Sequence, residues 1–595
     1  MMSSAFRKFQ GFALGAIIGS PITSSSVDEE KGNQITKDDV AQDTNGAPVE
    51  KKSPLGYDVT AFSTFYLIVQ GVLGTGIFAT PATILESMGS IGSTYVIWTV
   101  GFIVVLLQVF MYVEYSSYFR HRSGAEVVYL EQAYPKPRFM IPVLYAAISV
   151  CLSFATSSAS AFATYIFKAS GRDATAWERR GLGVLSLVLA AAITATNTKF
   201  AIKLNNLIGF VKVVFILFVA LSGFATLAGS TQTPKAAAHA VFKDAWKGTT
   251  TDGNSISNAI LKVIFSFEGC NYAFGVVAES HPKNTIRTYS ILIPFTMFFI
   301  YILYILAITA YYAGVADITE IKESGNLIAA VYFEKIFGTN SAVTAMSAFV
   351  AISAFGHLLT VYISHSRTLR ECGRQGVLPY PRIWTSVKPL GTPLFPILVT
   401  FIVNLIVLLA PPPGDAYNFV VDLGSYSTYI FNAMLSFGLF KLRRHRSKIG
   451  LGYQEFHIPA PLLALLFLFS LFVIAMAFVP PEGTLIGSDV SFFYATYPIT
   501  TIGIFLFCIG YYFVWEYVLP KIGKYRHRLS KFELAKGENG HKVIKVALSD
   551  LEEWDREHKD QDQDQETSAG PEQDIDGIYK NDSVQITSTS ASGKD

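Results

Sequence analysis

The sequence predicts an all-α membrane protein, and three observations predict it. Of 595 residues, 51% are hydrophobic and only 15% charged, with a mean hydropathy of +0.37; a soluble chain carries about 25% charged residues. The apolar residues gather in about twelve runs of roughly 18–30 residues, each long enough to cross about 30 Å of hydrocarbon as a helix. Two of those runs are broken by glycine in corresponding halves of the chain, at Gly71-Val-Leu-Gly-Thr-Gly76 and at Glu268-Gly-Cys-Asn271. Free backbone groups are tolerated in hydrocarbon only where they line a cavity or are buried in protein. Paired breaks of this kind point to a binding site at mid-membrane, the arrangement of secondary transporters.

In chain order, residues 1–52 are polar and turn-rich and are expected to form a disordered tail. The early GFALGAIIG run after Arg7 and Lys8 is too short and lacks a clear cleavage site for a signal peptide. The spans are expected near 57–88, 91–117, 138–168, 181–198, 203–228, 256–279, 289–313, 341–370, 393–410, 415–440, 459–480 and 493–519, within a transporter domain of residues 53–519. Ser324 to Phe337 alternates apolar and charged residues at helical spacing and reads as a surface helix over the external mouth. Residues 520–595 turn polar and acidic and are expected to be mostly disordered.

Basic residues set the orientation. Loops after even-numbered spans hold about eighteen Lys and Arg against about nine on the opposite side, which puts the basic loops inside. Arg367, Arg370, Arg374, Arg382 and Lys388 fall in one such loop; Lys441, Arg443, Arg444, Arg446 and Lys448 fall in another. An even span number then places both tails in the cytoplasm. The net charge of +2 carries no signal for nucleic acid. The four cysteines show neither a disulfide pattern nor metal spacing. Nucleotide-loop, HExxH and nucleophile-elbow motifs are lacking in the sequence, so no enzyme, cofactor or ATP-driven pump is expected.

The candidate site residues follow from the breaks. An unwound Val72–Gly76 leaves the amides of Gly74, Thr75 and Gly76 at the start of a new half-helix, where an anion is favoured. The carbonyls ending the preceding half-helix suit an ammonium group. The competing reading is close helix packing on small residues. Glu268 puts a carboxyl at mid-membrane, to bind an amine, carry a proton or pair with a lysine. Its alternative is a position nearer the external surface. Lys212, in GFVKVVFILF, must snorkel, pair or take part in coupling as a fixed cation or proton carrier. Ser353, His357, Thr360 and Ser364 share one helix face, with His357 either a packing residue or a proton carrier.

Several motifs carry a family resemblance: GxGIF in the first span, SGAEVVYLEQAYPKP between spans two and three, SHSRTLRECGRQGVLP after span eight, and APPPGDAYNFV at span ten. Over about residues 53–545 the chain resembles the amino acid–polyamine–organocation superfamily, and within it the branch of fungal methionine permeases, close to the L-type amino acid transporters. The resemblance implies twelve helices with two inverted five-helix repeats and with helices one and six broken around the substrate. It implies carboxylate-binding amides on Gly74, Thr75 and Gly76 and amine-holding carbonyls on Val72, Phe265 and Glu268; coupling through Lys212, His357 and Glu268 is expected from their positions within the spans. Lys212 matches a lysine that stands where sodium sits in sodium-driven members. Where many relatives have a small residue, this chain has Glu268.

The implied activity is proton-coupled import of neutral amino acids, methionine first, by alternating access across the plasma membrane. A cationic amino acid or polyamine substrate, a transporter-like nutrient sensor, and a vacuolar location are the alternatives. The loop Ala169–Arg180 contains no cysteine, so no disulfide-linked heavy chain is expected. Fungal permeases like this one are removed by ubiquitination of their tails, which makes Lys31, Lys37, Lys51 and Lys52 the expected sites for ubiquitin-ligase adaptors.

Overall fold

The computed structural model describes residues 50, 53–74, 76–152, 155–280, 285–409, 415–448, 456–480, 485, 493–534 and 538–558. The first apolar run is two helices, α1 (Ala61–Val72) and α2 (Gly76–Met88), bent by about 40°. Thr60 caps α1 by accepting from Ser63 N. At the other end Leu73 leaves the helical region, and Gly74 N turns back onto Val72 O at 2.7 Å. Next come α3 (Ile91–Tyr118), the short α4 (Glu126–Ala133), α5 (Met140–Leu152), α6 (Thr156–Ala169), α7 (Ala176–Thr196) and α8 (Thr198–Ala228).

The second broken run gives α9 (Gly253–Phe267) and the single turn α10 (Asn271–Phe274), separated by Glu268 in extended backbone and Gly269 at φ +117°. The chain continues through α11 (Thr285–Val315), α12 (Ile328–Phe337), α13 (Asn340–Arg374), α14 (Leu394–Leu409), α15 (Asp415–Lys448), α16 (Ala460–Met476) and α17 (Thr496–Phe513). Among the described residues six helices are long and apolar enough to cross a bilayer alone. The bent pair α1–α2 makes a seventh, and shorter apolar helices lie in α5, α14 and α16. The main packing pairs are α2 on α9, α6 on α13, α7 on α14, and α8 on α1, α11 and α13.

Four features depart from the sequence reading. The third run, expected as one span over 138–168, is interrupted between Leu152 and Thr156. The freed amide of Ala155 donates to Asn404 Oδ1 at 2.6 Å, so a side chain of α14 supplies the acceptor that the helix gives up. The eighth run does not end at 370. It continues to Arg374, because Arg367 pairs with Glu279 and Arg374 with Glu371, both pairs buried. Basic residues counted as loop charges are thus the last turns of α13.

α12 lies partly inside the protein. Tyr332 bonds Ser222 at 2.8 Å, and Phe333 stacks on Phe215 of α8. Beyond α17 the chain folds into an antiparallel hairpin, β1 (Tyr525–Glu533) with β2 (Asn539–Ala547), Tyr525 opposite Ala547 and Glu533 opposite Asn539. His527, Phe532, His541 and Val546 point inward and hold this part of the expected tail against the helices. Arg374 donates to Asn539 O at 3.0 Å. Residues 559–595 and the N-terminal lysines Lys31, Lys37, Lys51 and Lys52 lie outside the described residues.

Candidate functional site

The two helix breaks are pressed against each other. A methyl group on Gly71 would lie 2.7 Å from Gly269 O, and one on Gly76 would lie 2.7 Å from Ser266 Cα. Side chains are excluded there by backbone, so the glycines serve helix crossing as well as unwinding. Both breaks line a cavity of about 200 Å³. That is room for a solute of several heavy atoms and is below the usual drug-sized pocket. Its polar lining converges from α4, α6, α10, α13 and α15.

The unwound end of α1 is held by two neighbours. Lys212 Nζ, buried in α8, donates to Leu73 O at 2.7 Å and to Gln70 O at 3.4 Å. Ser353 Oγ of α13 donates to the same Leu73 oxygen at 3.1 Å. These carbonyls lie at the C-terminal end of a helix, where a cation is favoured. The snorkelling alternative for Lys212 does not hold, since the ammonium bonds inward. The polar face of α13 bonds across the bundle at every position. Besides Ser353, His357 Nδ1 meets Ser158 Oγ at 2.8 Å, Thr360 donates to Asn205 Oδ1 at 2.7 Å, and Ser364 donates to Tyr272 O at 3.4 Å.

Of the sequence-selected residues, Val72, Gly74, Gly76, Phe265, Glu268 and His357 line the cavity, and Lys212 sits behind it on α1. Thr75 lies outside the described residues. Three of the backbone groups are engaged, Phe265 O by Glu268 N at 3.2 Å. Val72 O faces both Gly74 N and the hydroxyl of Tyr304, the latter at 2.8 Å, and Gly74 N is the group that turns back onto it. Glu268 accepts from Thr428 at 3.1 Å, so it faces the cavity and not the external surface.

Sequence reading missed Glu126, Asn271, His365 and Thr428, which line the same cavity. Glu126 accepts from Tyr112 at 2.7 Å, from Asn271 Nδ2 at 2.9 Å and from Tyr145 at 3.4 Å. It lay in a segment read as a loop motif, and nothing in its local spacing showed that α4 turns back toward the breaks. His365 had a signal, since it lies eight residues after His357 on the same helical face.

The family model for amino acid permeases matches residues 59–507. The chain belongs to the amino acid permease family. It is 34% identical over 491 residues to the high-affinity methionine permease of Saccharomyces cerevisiae, covering 81% of this chain and 82% of that protein. It is 26% identical over 477 residues to the low-affinity methionine permease of the same yeast, covering 80% and 85%. It is 24% identical over 445 residues to the human cystine/glutamate transporter, covering 74% and 84%. With its long apolar helices, this permease is a multi-pass membrane transporter.

Proposed function

We propose that this permease imports neutral amino acids, methionine first, across the plasma membrane, driven by protons and working by alternating access. The observation that carries the proposal is the crossing of two glycine-broken helices over one small polar cavity. The names of the two yeast relatives favour methionine. A twelve-helix frame with inverted repeats accounts for the contacts of α2 with α9, α6 with α13 and α7 with α14, and the basic loops put both tails in the cytoplasm.

In this mechanism the amides of Gly74, Thr75 and Gly76 receive the substrate carboxylate, and the carbonyls of Val72, Phe265 and Glu268 receive the ammonium. Because Gly74 N and Val72 O already bond each other, binding must open that turn. Opening it changes the link between α1 and α2, which is the motion alternating access needs. Lys212 keeps the end of α1 tied to α8 and α13 where other family members use sodium, and coupling runs through Lys212, His357 and Glu268. The N-terminal lysines serve turnover; changing Lys31, Lys37, Lys51 and Lys52 to arginine should slow substrate-induced internalisation, and unchanged internalisation rejects that role.

The test is uptake of radiolabelled methionine in cells lacking their own permeases. Saturable uptake that rises in acidic medium and ignores sodium is expected. Absence of methionine uptake, or a sodium requirement, refutes the proposal. A cationic substrate is the second reading, favoured because neither Glu126 nor Glu268 has a lysine or arginine partner among the described residues. Preferential uptake of lysine or a polyamine in the same cells would select it.

A further inference from the structure

Four buried carboxylates at helix ends are matched by arginine. Glu114 pairs with Arg443 at 2.6 Å, Glu131 with Arg122 at 2.9 Å, Glu279 with Arg367 at 2.9 Å, and Glu371 with Arg374 at 2.6 Å. Glu126 and Glu268, half-buried and lining the cavity, have no arginine or lysine partner among the described residues. Uncompensated carboxylates in a poorly hydrated site call for a positive charge from outside.

The two carboxylates differ in what they bond. Three neutral donors converge on Glu126: the Tyr112 and Tyr145 hydroxyls and the Asn271 amide. An amide N–H only donates, and convergent donation suits an ionised carboxylate. Glu268 meets a single hydroxyl, that of Thr428. A hydroxyl donates to a carboxylate or accepts from a carboxylic acid with equal ease, so this partner serves either protonation state.

The cavity also has direction. Along α13 its lining runs from His357 through Ser364 and His365 to Thr368 and Leu369. That is a rise of twelve residues, or about 18 Å at 1.5 Å per residue. Asn271, the first residue of α10 after the second break, joins Glu126 to the unwound segment that carries Glu268.

We infer that Glu126 is a fixed anion that receives the substrate's ammonium group on its way from the helix breaks to the Thr368 end of the cavity, leaving Glu268 as the carboxylate that gains and loses the proton. This rests on the transport reading above and assigns its two charges to two residues. The proton adds to Glu268 as substrate enters and leaves from the same oxygen on release; no bond to the substrate forms. The other titratable groups around the pair are Tyr112 from α3, Tyr145 from α5, Cys270 and Tyr272 at the second break, His357 and His365 from α13, Tyr429 from α15, and Lys212 of α8. Of these only Lys212 is a strong cation, and it is bonded to α1.

The test uses the full-length protein in two assays. In liposomes, Glu126→Gln should raise the KM for methionine about tenfold or more, the scale of a lost charge contact in a poorly solvated site, while the pH profile of uptake keeps its shape. Glu126→Asp should recover part of that affinity, and Glu268→Gln should flatten the pH profile. In detergent, methylammonium should raise the melting temperature of the parent protein and not that of Glu126→Gln, with sodium as the control cation. The inference is overturned if Glu126→Gln keeps the parental KM and methylammonium response, or if it flattens the pH profile with KM unchanged. If the parent carries no methionine, the transport reading fails, and the methylammonium assay still decides the role of Glu126.

Discussion

Gly71 and Gly269 touch backbone to backbone: a methyl group on Gly269 would lie 2.5 Å from the carbonyl carbon of Gly71. One comes from the first broken run and the other from the second. Neither has room for a side chain, and Gly269 also holds φ +117°. The closeness of the two breaks is what turns separate unwound segments into the wall of one cavity.

Gly269→Ala should therefore abolish uptake. Backbone strain of about 1–3 kcal/mol adds to a backbone clash that no rotamer relieves. Gly74→Ala is the milder change, because its methyl would meet only the edge of the His357 ring at 3.2 Å. Uptake per molecule at the cell surface, with melting temperature of the purified variants, checks the order. Equal loss in both variants would reject the crossing as the cause.

Lys212→Met keeps most of the volume and removes the donor to Leu73 O. With Ser353 Oγ left as the donor to that oxygen among the described residues, uptake should fall to a few per cent or less of the parent, and added sodium should not restore it. Lys212→Arg should keep the charge and lose the fit, giving intermediate uptake. Sodium-dependent rescue of Lys212→Met would show that the site still accepts a metal ion.

Glu268→Gln should alter the dependence of uptake on external pH while surface expression stays near the parental level. Thr428→Val, which removes the single hydroxyl partner of Glu268, should shift the same profile less, since it leaves the carboxyl in place. Initial rates across a pH series measure both. A parental profile in Glu268→Gln would remove Glu268 from the coupling scheme.

The hairpin has its own acid sensitivity. Burial, with Lys531, Arg122, Arg374 and Arg138 nearby, pushes His541 down from its ordinary 6.5 to about 3. The folded form holds this histidine neutral, so the undocked state binds the proton more readily. Docking is then fully stable above about pH 6.5 and weakens as pH falls toward 3. Hydrogen exchange of the 525–547 amides should quicken below neutral pH in the parent and much less in His541→Asn. Exchange that is independent of pH in the parent, after correction for intrinsic rates, would contradict this.

Much of the fold is legible in the sequence. Low charge and long apolar runs determine a helical membrane protein, because only helices or closed barrels satisfy the backbone in hydrocarbon. Gly71, Gly74, Gly76 and Gly269 mark both breaks, since a glycine cluster weakens a helix wherever it occurs. Ser353, His357, Thr360 and Ser364 declare an inward face through helical periodicity alone. The tertiary structure decided what periodicity cannot carry. It set the pairing of Gly71 with Gly269, the bond of Lys212 to Leu73 O, the break near Ala155 answered by Asn404, and the placing of Glu126 in the cavity. Each joins residues far apart in the chain, and local sequence holds no record of which distant group will satisfy a freed amide or leave a carboxylate without a basic partner.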